Sequence, residues 1–167
     1  MERHSAKGCN VRGQQTVKDK IMKSSLILIF FVAILLCVSV YASDVDIRPV
    51  NFRSGMPLRH DSLNESFNSP SDLNTLKINS SLLSSFHGKF RFKIVGFSDN
   101  QECHGPDCIS LSLRRATYVR NWLLANGVPV DELDPAEGRG TDAPLDSNES
   151  SRGRLRNRRV EINPVAL

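Results

Sequence analysis

The sequence predicts a two-layer α/β sandwich of the mixed α+β kind, and three stretches carry the prediction. Phe90, Phe92 and Ile94 alternate with Arg91 and Lys93, the period-two pattern of a strand with one covered face. From about Ser112 to Asn126 the period changes: Ser112, Ala116, Val119 and Leu123 share one stripe at about 100° per residue, which is a helix. Asn126-Gly127 closes it, because glycine takes the left-handed conformation without a Cβ penalty. Val160-Glu161-Ile162 then returns to a strand. Strands alternating with helices bury their apolar sides most simply as two packed layers.

The remaining elements follow in chain order. Asp44 to Asn51 sets Val45, Ile47 and Val50 among charges, a short half-buried strand leading to Phe52. Arg53 to Pro57 turns, and the polar stretch from Arg59 to Pro70 reads as an exposed connection. Ser71-Asp72-Leu73 to Phe86 carries Leu73, Leu76, Ile78, Leu82, Leu83 and Phe86 behind a Ser or Asp cap, a first helix. Val128 to Leu133 and Gly138 to Pro144 read as a loop, a strand and a turn. A third helical segment is expected to start near Asn148 or Ser150, inside the polar run from Asp146 to Asn157.

With 167 residues, 40% of them apolar, the chain holds enough for one core and a tail. The net charge of +4 is unevenly placed. Residues 1–23 hold six Lys or Arg against two acids, whereas residues 44–167 hold sixteen of each. The excess belongs to the leading segment and not to a binding face, so nucleic acid is not an expected partner.

Three regions result: a basic head (1–24), an apolar leader (25–42) and a folded body (43–167). Leu26 to Ala42 is seventeen residues without a charge, preceded by Lys18, Lys20 and Lys23. As a helix it reaches roughly 26 Å against a hydrocarbon core of about 30 Å, and the basic flank places the body on the far side of the membrane. Two fates stay open. Val40-Tyr41-Ala42 before Ser43 suits cleavage of a signal peptide, especially from a start at Met22; a start at Met1 gives a long hydrophilic head that suits an uncleaved anchor. Cys37 follows Leu36 inside the apolar run and does not fit a lipidation site.

The body is organised around Gly96 to Ala116. Asp99 follows the apolar strand, and Arg114 and Arg115 fall in the first turns of the helix. With strand and helix side by side, an anion and a cation converge at the mouth of one cleft, a site for a zwitterion. Arg115 lies at the edge of the buried stripe and Arg114 points more nearly away, so Arg115 is the inward cation.

These residues carry a resemblance. Gly96-Phe97-Ser98-Asp99, Leu111-Ser112-Leu113-Arg114-Arg115-Ala116, the Gly138-Arg139-Gly140 turn leading to Pro144, and Asn157-Arg158-Arg159-Val160-Glu161 follow in order the four signature blocks of the OmpA-like peptidoglycan-binding domain. That family is shared by outer-membrane porin tails, peptidoglycan-associated lipoproteins and flagellar stator proteins. Phe97 and Ser98 stand where the family usually has His and Thr, and the loop from Cys103 to Cys108 is one most members lack. Val50 to Gly55 is similar to the strand end that borders the family's ligand cleft.

The resemblance implies a βαβαβ-type domain that binds the diaminopimelate of the peptidoglycan stem peptide in the bacterial envelope. Asp99 would accept from the ligand ammonium, and Arg115 would grip its carboxylate through two parallel hydrogen bonds. Backbone donors of the turn from Ser98 to Asn100 would add to the grip, with Arg158 beside the same cleft. Where several members place a polar Asn, this chain has Cys108. The five arginines from Arg152 to Arg159 also admit an RNA-binding run or a plain basic helix face.

Cys103, His104, Asp107 and Cys108 have the residue types of a metal or thiol site. Export to an oxidising compartment favours a Cys103–Cys108 disulfide that shapes the ligand rim. No nucleophile, base and orienting group occur as a set that supports hydrolysis, so a non-enzyme without cofactor or metal is expected. A signalling or assembly protein that uses the fold to bind an envelope protein is the alternative.

Overall fold

The computed structural model describes residues 46–58 and 61–167. The basic head and the apolar leader lie outside them. Among the described residues no helix is long and apolar enough to cross a membrane.

The described chain is a mixed α+β fold with one four-stranded sheet. Strand β1, Val50–Asn51, pairs antiparallel with the final strand β4, Arg159–Ala166, which pairs antiparallel with β2, Phe90–Gly96; β2 is parallel to the two-residue β3, Glu137–Gly138. The order across the sheet is β1-β4-β2-β3. Strand β4 outruns the expected Val160-Glu161-Ile162 because the whole of β2 is its partner, from Phe90 opposite Ala166 to Gly96 opposite Val160.

The first strand is shorter than its apolar pattern suggests. Asn79 explains why: its side-chain oxygen accepts from the Arg48 amide at 3.3 Å, and its side-chain nitrogen donates to the Arg48 carbonyl at 2.7 Å. One side chain thus satisfies both backbone groups that a longer strand would have paired.

The stretch read as an exposed connection contains a helical turn, α1, Leu63–Ser66. Ser62 and Glu65 form its capping box, the Glu65 carboxylate accepting from the Ser62 amide at 3.1 Å and hydroxyl at 2.8 Å. Phe67 after it is buried against Phe52, ring centroids 5.1 Å apart. Phe67, with the partly buried Leu63 beside it, holds this polar run on the core.

Helix α2, Pro70–Ser85, starts behind Ser69, whose amide and hydroxyl bond to the Asp72 carboxylate. Asp72 also accepts from the Asn51 amide at 2.9 Å, which docks the helix on β1. Leu76 and Leu83 enter the core, but Ile78, read as part of the same stripe, faces solvent.

Helix α3, Pro106–Ala125, begins six residues before the expected Ser112. Gly105 has φ +52° and Pro106 needs no amide partner in the first turn, so a loop-like sequence opens a helix. Ser112, Ala116, Val119 and Leu123 are all buried, as their spacing predicts. A Cβ on Gly96 would lie 2.0 Å from the Ser112 carbonyl oxygen, and one on Gly138 2.4 Å from the Leu113 nitrogen. These two glycines let α3 press directly on β2 and β3. A short 3-10 turn, Val130–Glu132, and helix α4, Ser151–Asn157, complete the body, with Ser150 capping α4 by accepting from the Gly153 amide. Phe92, Ile94, Val160 and Ile162 of the sheet share one core with Leu76, Leu83, Ala116, Val119 and Leu123 of the helices.

Candidate functional site

Three segments meet beneath the amino-terminal half of α3: the loop after β1 (53–56), the turn after β2 (97–102) and Arg115. Close packing over Gly96 sets Arg115 deep, where its side chain is fully buried. A guanidinium has five N–H donors, and all are used. Nε donates to the Met56 carbonyl at 2.8 Å; Nη1 to the Phe97 carbonyl at 2.9 Å and Glu102 Oε1 at 2.6 Å; Nη2 to the Arg53 carbonyl at 3.1 Å and Glu102 Oε2 at 2.7 Å. The Phe52 ring lies 5.4 Å from its carbon centre.

The Glu102 carboxylate is as fully engaged as the arginine. Besides the two-pronged contact it accepts from the Gly55 amide at 2.8 Å and from the Asp99 amide at 3.1 Å. Its side chain is 1% exposed, although the residue's main chain reaches the surface. A buried ion pair offsets its desolvation only with such complete hydrogen bonding.

Asp99 is buried beside this pair, with Oδ2 on Arg158 Nη1 at 2.7 Å. Oδ1 accepts from the amides of Gln101 and Glu102 at 2.7 and 3.0 Å, which curls the turn back on itself. Arg158 is anchored in turn by the Phe52 carbonyl at 3.1 Å. Asp99, Arg115 and Arg158 are therefore brought into one cluster, with two carboxylates and two guanidinium groups in balance. Asn100 is exposed at the tip of the turn. The Ser98 amide is spent on the Gly140 carbonyl at 2.8 Å, so of these backbone donors it is Asp99's that reaches a carboxylate. Ser98 Oγ is buried and finds no hydrogen-bond partner among the described residues.

Arg114 is half-buried and donates to the Pro57 carbonyl at 2.6 Å, apart from the carboxylates. The arginine run from Arg152 to Arg159 is not one basic face. Arg159 is buried, its guanidinium 3.9 Å from the Phe97 ring centre, and Arg156 pairs with Asp146. Asn157 takes the amides of Leu145 and Asp146 and donates to Asn148, which fixes the loop before α4. Cys103 and Cys108 are joined in a disulfide, which leaves neither sulfur as a nucleophile or a metal ligand.

Sequence reasoning missed Glu102. It sits in a polar run with no apolar pattern to announce burial, and its one signal is its place beside Cys103, three residues after Asp99. The cluster can hold a carboxylate: a planar guanidinium and two backbone amides converge on one.

Comparison with known proteins places the chain in a family and matches its fold. A family model described as the OmpA family matches residues 66–158, more than half of the chain. The peptidoglycan-binding protein ArfA of Mycobacterium tuberculosis is 42% identical over 72 residues, 43% of this chain and 22% of that protein. The chain thus spans about a fifth of the length of that curated relative. Among solved structures, the C-terminal domain of Helicobacter pylori MotB superposes with a TM-score of 0.59 at 20% identity, over 71% of this chain and 84% of that one, a likeness of fold. The cell wall anchor of the T6SS from Pseudomonas aeruginosa superposes with a TM-score of 0.53 at 28% identity, over 71% and 81%.

Proposed function

Because the chain belongs to the OmpA family, we propose that it is a non-catalytic peptidoglycan-binding protein of the bacterial cell envelope. It takes the outer end of diaminopimelate, which carries both an ammonium and a carboxylate. The observation that carries this reading is the carboxylate-holding set of Arg115, the Gly55 amide and the Asp99 amide, with the Asp99 carboxylate beside it. In the bound state a ligand carboxylate takes the place of the Glu102 carboxylate, and Asp99 accepts from the ammonium. Arg158 steadies Asp99. The Cys103–Cys108 bridge shapes the rim. The names of two similar proteins, a peptidoglycan-binding protein and a cell wall anchor, support peptidoglycan as the ligand. With residues 25–42 as membrane anchor or export signal, the body stands outside the cytoplasm and holds the wall near a membrane.

Sedimentation with purified sacculi tests the reading. The full chain in mild detergent should pellet with diaminopimelate-type sacculi and be released by free meso-diaminopimelate. Retention on lysine-type sacculi to the same extent would overturn the diaminopimelate assignment, and no retention on either would overturn wall binding.

A further inference from the structure

Glu102 occupies the place that a bound carboxylate would need. Both its oxygens lie on Arg115, each takes a backbone amide as well, and the side chain is buried while its main chain lies at the surface. Nothing in this set depends on the carboxylate belonging to the chain: the donors come from three other residues, and the carboxylate enters among them from an exposed loop. The next residue, Cys103, is bonded to Cys108 in the first turn of α3, the helix that carries Arg115. The bridge holds the loop end near the guanidinium and keeps the local concentration of this carboxylate high.

We propose that Glu102 is an internal ligand of an exchangeable carboxylate site, a residue that sets ligand affinity by competing for Arg115. Its application to the wall rests on the peptidoglycan reading above; the internal-ligand assignment does not. A free carboxylate binds only when Glu102 swings out, so apparent affinity is reduced by the fraction of molecules in the open state. With that fraction at about 1–10%, removing the side chain raises affinity about 10–100-fold. The site is thereby restricted to ligands that bring more than a carboxylate. An ammonium placed against Asp99 adds what Glu102 lacks, whereas a simple carboxylic acid competes poorly with a tethered one.

The test compares the full-length wild type with Glu102→Ala and Glu102→Gln, each in mild detergent, in two measurements. Thermal unfolding is followed with an excess of sodium acetate against the same concentration of sodium chloride, and sacculus binding is followed by sedimentation. Glu102→Ala should melt below the wild type and be raised by acetate but not by chloride, with the wild type indifferent to both. Both variants should bind sacculi about 10–100-fold more tightly. Should Glu102→Ala fail to fold, Glu102→Gln carries both measurements, since it keeps the shape and loses the charge that holds it on Arg115. Acetate rescue with no sacculus binding by any of the three chains sustains the internal-ligand assignment and overturns the peptidoglycan reading. No acetate response together with unchanged or weaker sacculus binding overturns the proposal and leaves wall binding by the wild type standing. Acetate rescue with equal sacculus binding by all three overturns the competition.

Discussion

Arg115 and Glu102 meet twice, at 2.6 and 2.7 Å, with side chains 0% and 1% exposed. This pair joins three segments far apart in sequence, because Arg115 also holds the carbonyls of Arg53, Met56 and Phe97.

Truncating the arginine therefore tests structure as much as binding. Arg115→Ala leaves the Glu102 carboxylate buried without its cation and three carbonyls without donors, and should cost about 3 to 5 kcal/mol of stability. Arg114→Ala loses one hydrogen bond to the Pro57 carbonyl and should cost about 1 kcal/mol. Urea unfolding of the two variants measures the contrast. Equal losses would mean that the two neighbours play the same part.

Asp99→Asn separates charge from shape. The amide oxygen can still accept from the Gln101 and Glu102 amides, so the turn should persist. The anionic partner of Arg158, and of the ammonium in the proposed ligand, is lost, and sacculus affinity should fall about 10-fold or more. Normal affinity in a folded Asp99→Asn protein would remove Asp99 from the ligand contacts. Arg114→Ala should leave sacculus affinity nearly unchanged.

The disulfide gives a chemical prediction. Alkylation of the purified protein without reductant, followed by mass spectrometry, should find Cys103 and Cys108 both blocked; two alkylated thiols would contradict the bond. A double Cys→Ser variant closes no covalent loop across that five-residue separation and should lose about 2 kcal/mol or less.

Asp146 makes a pH-dependent contribution. The Ser147 amide first, and then the Arg156 guanidinium, hold its carboxyl below the usual carboxylate range. A group whose value is lowered by folding contributes stability above its unfolded value, and that contribution is lost as pH falls through the folded one. Asp146→Asn should therefore be less stable than the wild type at neutral pH, with the gap closing as the solution is acidified through the carboxylate range. Urea midpoints across pH measure it; a gap constant at all pH values would trace the effect to something other than this titration.

Local pattern alone determined much of this protein. The alternation from Phe90 to Val95, the stripe from Ser112 to Leu123 and the glycine stop at Gly127 marked the central strand and the long helix, because each repeats at the period of the structure it forms. The same stripe put Arg115 inward and Arg114 aside, and the four ordered blocks pointed to the family. What only the tertiary structure decided lies where no period operates. Asn79 took both backbone groups of Arg48 with side-chain hydrogen bonds, Phe67 drew a polar stretch onto the core, and Glu102 left a solvated loop for a buried arginine. Each outcome depends on a partner outside the local window, Arg48 for Asn79, Phe52 for Phe67 and Arg115 for Glu102, and a carboxylate in a polar run looks the same in sequence whether water or a guanidinium receives it.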